Sequence, residues 1–272
     1  MGLFESMDLL TAAFILFAGL GAGAINAVVG SGTLITFPVL VAAGIPPVTA
    51  TMSNALGLIP GNVASSFGYR EEIRGQGGRL LRLVPASLAG SLVGAYLLLH
   101  LPETAFESIV PVLIVLALLL VIFQPVLQRV VRERKQMAAP ELDVHGGLAT
   151  MSTGRWAGVI AVVFLTAIYG GYFAAAQGVI LIGLLGLLLP DPLQRINGAK
   201  NVLVLVVNVT SATVYTIVGH DRIDWAAVLL IAVGSLLGGY FGARVARKFS
   251  PVVLRTVIVV LGLVAFWRIL TL

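Results

Sequence analysis

Lys200, Asn208, Ser211 and Tyr215 lie in an apolar stretch, Asn197–Tyr215 (NGAKNVLVLVVNVTSATVY), of hydrocarbon-spanning length. At 100° per residue these four side chains fall within roughly an 80° arc of a helix. A lysine and amide stripe inside such a helix is costly unless it faces a cavity or partners. A compact cation with amide and hydroxyl donors beside it suits an oxyanion. Asn201, next in the chain, either shares such a site or contacts Asn54 across a pseudo-twofold axis. Two structural alternatives compete with this chemistry. Lys200 could snorkel to the interface, and the Ser and Tyr hydroxyls could simply bond neighbouring helices.

The stripe has a counterpart. NVASSFGY (Asn62–Tyr69) matches NVTSATVY (Asn208–Tyr215) at an offset of 146 residues, which pairs Asn62, Ser65 and Tyr69 with Asn208, Ser211 and Tyr215. The same offset pairs Asn54 with Lys200, Pro46 with Pro192, and Ser31-Gly32 with Gln177-Gly178. GSLVGAY (Gly90–Tyr96) matches GSLLGGY (Gly234–Tyr240) at 144. Three matches in one order with consistent offsets are an internal duplication. In both copies an apolar segment breaks at small residues, Gly30-Ser31-Gly32 and Ala176-Gln177-Gly178, and a short one follows. Breaks at membrane depth must be buried or line a cavity. The half-helices that start there would offer free N–H groups and a positive dipole end, so Ser31, Gly32, Gln177 and Gly178 join the candidate anion site.

Other chemistries lack their residues. There is no cysteine, hence no thiolate catalysis, disulfide or thiolate metal site. Asp and Glu sit at segment ends or in loops, as do His100, His145 and His220, leaving no intramembrane carboxylate and no metal cluster. The reading is therefore not an enzyme, with no catalytic residues, metal or cofactor. Charged residues make up only 11% of the chain against 58% hydrophobic, with mean hydropathy +1.03, where a soluble domain carries about a quarter charged residues. This is an all-α polytopic membrane protein. Its net charge of +5 comes from segment ends, as in positive-inside loops, and does not imply a nucleic-acid partner.

The spacing divides the chain into an N-terminal repeat (1–124), a basic linker (125–154) expected to be solvated and partly helical at its start, and a C-terminal repeat (155–272). Pro60 should kink the segment Thr51–Tyr69 by freeing the Leu56 carbonyl. Gly90, Gly94, Gly234, Gly238, Gly239 and Gly242 recur at helical spacing and read as close-packing surfaces. The first apolar segment lacks a basic leader and is expected to be retained. If each glycine-broken pair is a re-entrant hairpin, each repeat adds three crossing helices and the repeats are inverted. All but Arg222 and Arg268 of the seventeen Lys and Arg then share one side. By the positive-inside rule that side is cytoplasmic, with both termini outside.

At these motifs the chain resembles the TauE/SafE sulfite exporter family of anion permeases. The resemblance rests on GAGAINAVVGSGTLITFPVLVAAGIPP, TATMSNALGLIPGNVASSFGYR, NGAKNVLVLVVNVTSATVY and GHDRIDW, and covers nearly everything except the linker. It implies that the helix breaks build the anion site. The expected function is a secondary transporter, an exporter, of a small sulfur oxyanion such as sulfite, working by alternating access around a midplane site in a bacterial inner membrane. Its partners would be that anion (sulfite or a sulfonate), the bilayer, and a second copy of the chain in a homodimer. The alternatives are a permease for an organosulfonate or other organic anion, and a non-transporting membrane scaffold.

Overall fold

The computed structural model describes residues 7–137, 152–245 and 251–270, and among these every regular element is helical. In chain order they are α1 (Leu9–Val28), α2 (Thr33–Ala42), α3 (Pro47–Gly57), α4 (Ile59–Gly68), α5 (Arg70–Ile73), α6 (Gly77–His100), α7 (Glu103–Met137), α8 (Thr153–Tyr172), α9 (Gln177–Leu188), α10 (Leu193–Val218), α11 (Trp225–Val245) and α12 (Pro251–Leu270). A 3₁₀ turn, His220–Arg222, links α10 to α11. Among the described residues, five helices (α1, α6, α7, α8 and α10) are long and apolar enough to cross a membrane. Their outward faces carry Phe14, Phe17, Val112 and Leu165, which suits lipid rather than water.

The halves interlock. α1 packs most extensively on α11, and α8 on α6, so each half supplies the partner for the other's first helix. Glycine makes this possible. A Cβ on Gly94 would strike the Gly171 backbone, and one on Gly23 would strike the backbone of Ser235 and Gly239. Helix backbones this close need small residues at every crossing.

The same contacts fix directions. Gly19 lies against Ile231 and Gly23 against Gly239, so α1 runs parallel to α11. Gly61 lies against Ser235 and Ala64 against Gly239, so α4 runs parallel to α11 as well. The chain must therefore turn back between α1 and α4, and α2 is the return. α10, at 26 residues, is about 39 Å long and separates two faces. At its start Arg79 pairs with Asp191 at 2.6 Å, and the Arg155 guanidinium donates to the Leu188 carbonyl at 2.9 Å. Near its end Arg222 pairs with Glu103 at 2.7 Å, and the Asp224 N–H donates to Ser53 Oγ at 2.9 Å. Thus α8 starts from the face with Arg79 and Arg195, and α11 starts from the opposite one.

Local sequence explains the boundaries. Asp8 caps α1 by accepting from the Thr11 N–H. Pro60 in the first turn of α4 separates it from α3 at Leu58, where a kink was expected. The second break differs from expectation. α8 ends at Tyr172, before Gln177, because Ala174 (φ 64°) and Ala176 (φ 58°) adopt the left-handed conformation that stops a helix. α7 runs on to Met137, so the start of the stretch read as a linker is helical. Leu127 and Val131, one turn apart, pack against Gly183 and Gly186 of α9, while Arg129, Arg132 and Glu133 on the other sides are exposed. Residues 138–151 of the expected linker lie outside the described residues.

Gly94→Leu should abolish or sharply weaken the fold, by about 3 kcal/mol or more through overpacking. Gly158→Ala, where nothing lies within 4 Å of an added Cβ, should stay within about 0.5 kcal/mol of the parent. Thermal unfolding of both variants in detergent checks this.

Candidate functional site

The two breaks touch. The Gly178 N–H, at the start of α9, donates to the Gly30 carbonyl at 3.1 Å. Gly30 has φ 82°, and a Cβ on either glycine would come within 2.5 Å of the other's Cα. Only glycine serves in both places.

Lys200 reaches this junction. It is 1% exposed, and its Nζ donates to the Asn26 carbonyl at 2.9 Å. One turn earlier on α10, Asn197 Nδ2 donates to the Ala27 carbonyl at 3.3 Å. Both carbonyls belong to the last turn of α1, whose end carries partial negative charge and leaves acceptors unused. Lys200 therefore turns inward, away from the interface. Among the described residues no carboxylate lies within 4 Å of it. A buried cation held by carbonyls alone has lost most of its hydration and gained only partial charges in return.

Asn26 is the hub. Besides its carbonyl, its Nδ2 donates to Asn62 Oδ1 at 2.5 Å, and its Oδ1 accepts from the Gly32 N–H at 3.4 Å. One side chain thus ties α1 to α2 and α4, while Lys200 adds α10. The half-helix ends are less open than expected, because the first N–H groups of α2 and α9 are partly spent on Asn26 and Gly30. Other donors remain. The Ser31 hydroxyl, Asn62 Nδ2, Asn201 Nδ2 and the Tyr172 hydroxyl are buried without a protein partner.

The remaining candidates divide. Asn54 is turned to α2, accepting from Thr36 Oγ1 at 2.5 Å and donating to Thr33 at 3.1 Å, rather than reaching Asn201. Gln177 packs its amide on Gly170, with Oε1 unpartnered. Ser65 bonds its own helix at the Gly61 carbonyl, and the Tyr215 hydroxyl donates to the Gly171 carbonyl, both structural uses. Asn208 and Ser211 are buried farther along α10. Asn26, Asn197 and Tyr172 were missed by the sequence reading. Asn26 and Asn197 carry the signal used for Lys200, a polar side chain in an apolar stretch.

A cavity of about 520 Å³ opens beside the junction, between α7, α9, α10 and the end of α1. Its polar lining is Tyr69, Glu72, Gln128, Arg132, Gln194 and Asn197. Asn197 therefore stands both in the cavity and one turn from Lys200.

Residues 15–269 match the family described as Sulfite exporter TauE/SafE. The chain belongs to that family. It is a membrane transport protein. Similar proteins include the probable membrane transporter protein YfcA of Escherichia coli K12, 23% identical over 93% of this chain and 87% of its own length. A probable membrane transporter protein of Haemophilus influenzae is 25% identical over 94% and 92%. The probable membrane transporter protein ORF9 of Sinorhizobium is 24% identical over 95% and 92%. No solved structure matches the chain.

Asn26→Ala should lower stability by about 1–3 kcal/mol, since it strands the Asn62 amide and the Gly32 N–H in a buried place. Asn54→Ala should behave similarly by releasing Thr33 and Thr36, and unfolding in detergent measures both.

Proposed function

We propose that this transporter carries a small sulfur oxyanion, sulfite first, and that the anion binds at the junction of the two helix breaks against Lys200. The observation that carries the reading is the buried Nζ of Lys200, with no carboxylate beside it among the described residues. An anion entering there supplies the missing counter-charge. The free donors of Ser31, Asn62 and Asn201 would complete its shell, while Gly32 and Gly178 hold the two breaks in place through their own bonds to Asn26 and Gly30. Gln177, Asn54, Asn208, Ser65, Ser211 and Tyr215 form the outer framework in this reading, fixing the helices that present those donors.

The sequence duplication, and an α8 that starts from the face toward which α1 runs, support reading 1–124 and 155–272 as inverted repeats about this junction. α1–α2 and α8–α9 are then re-entrant pairs. Alternating access follows if the two halves rock about the fixed junction. The face with Arg79, Arg155 and Arg195 is cytoplasmic by the positive-inside rule, which puts both termini outside. A bacterial inner membrane is the setting and export the direction. An organosulfonate is the second substrate reading, favoured by a cavity much larger than sulfite. A homodimer is compatible with the apolar exterior.

Saturable sulfite flux into proteoliposomes is expected, with sulfate and a sulfonate as competitors. Lys200→Ala should reduce it at least a hundredfold while the protein still elutes as folded. Unchanged flux in that variant would remove Lys200 from the site. No flux of any sulfur anion by folded wild type would remove the substrate class.

A further inference from the structure

We propose that the cavity under α7 is the anion's way between the basic face and Lys200, and that Arg132 recruits anions at its mouth. The inference rests on the anion reading of Lys200 and adds a route and a residue to it. α10 carries Gln194, Asn197 and Lys200 at three-residue steps, each about 4.5 Å along the axis. The first two line the cavity and the third lies just beyond it. α7 faces them with Gln128 and Arg132, one turn apart and on one side of that helix. Polar groups therefore descend from an exposed guanidinium through amides to a buried ammonium.

The foot of the path is polar by construction. Asn197 is 7% exposed, and its Oδ1 is buried without a protein partner, although its Nδ2 is used on Ala27. The cavity's volume is many times the ~30 Å³ that liquid water takes per molecule. An anion can thus travel hydrated as far as Asn197 and shed water only on reaching Lys200.

Arg132 and Glu72 are the charged groups of the lining, and no ion pair within 4 Å joins them. Charges lining a cleft act on the local concentration of a passing ion. Arg132 should raise the local anion concentration and Glu72 should lower it. A merely structural role for either residue would not give opposite effects of opposite charge.

The test is sulfite flux started from the linker side of oriented proteoliposomes at low ionic strength. Arg132→Gln should raise the half-saturating concentration several-fold with the maximal rate within twofold, and Arg132→Lys should restore it. Glu72→Gln should lower it, which keeps the test alive if an Arg132 variant folds poorly. All differences should shrink near 1 M salt, where the screening length is about 3 Å. Wild-type half-saturation in both Arg132→Gln and Glu72→Gln, in a preparation where Lys200→Ala has lost flux, would overturn the route and leave the Lys200 site standing. Absence of sulfite flux in the wild type would overturn both.

Discussion

The bond from Lys200 to the Asn26 carbonyl is the contact on which the junction depends. A transmembrane helix that stops short leaves carbonyls without partners, and lipid offers none. α10 answers with a lysine and an asparagine one turn apart, placed on successive carbonyls of α1. That solves the helix end and creates a second difficulty, a dry positive charge. On the proposed reading the transported anion resolves it for as long as it is bound, which links the fold's local cost to its function.

Holding two helix breaks in contact requires a stiff surround. The glycine crossings of α1 on α11 and α6 on α8 supply it, because backbones that touch have few alternative registers. The exchange of partners between halves means neither half builds the junction alone: Gly30 and Asn26 come from one, Gly178, Asn197 and Lys200 from the other. Relative movement of the halves would alter the junction directly. Ala174 and Ala176, held in a left-handed conformation at the second break, store about 1 kcal/mol or more each. Such strain is tolerated where the surroundings over-determine the backbone.

Much of this was legible in the residues. Segment positions, the duplication and both breaks follow from apolar length and repeated spacing, whereas the burial of Lys200 was one of two alternatives the sequence left open. What was missed depends on tertiary approach. Asn26 and Asn197 look like isolated amides until α10 is laid across the end of α1. The left-handed alanines carry no compositional mark, since alanine rarely stops a helix. The packing of the end of α7 on α9 was hidden because Leu127 and Val131 alternate with Gln128, Arg129 and Arg132, and the charges outweigh the thin apolar stripe. Asn54, matched to Lys200 in sequence, is committed to α2 instead. Equivalent positions in a duplicated chain need not keep equivalent roles.

The most direct measurement is the thermal stability of purified wild type and Lys200→Met, each with and without sulfite. Lys200→Met removes both the donor to the Asn26 carbonyl and the charge that the anion would pair with. Sulfite should then raise the wild-type Tm saturably and leave the variant unmoved. A variant that sulfite stabilises as much as the wild type would show that Lys200 serves the end of α1 and not the anion.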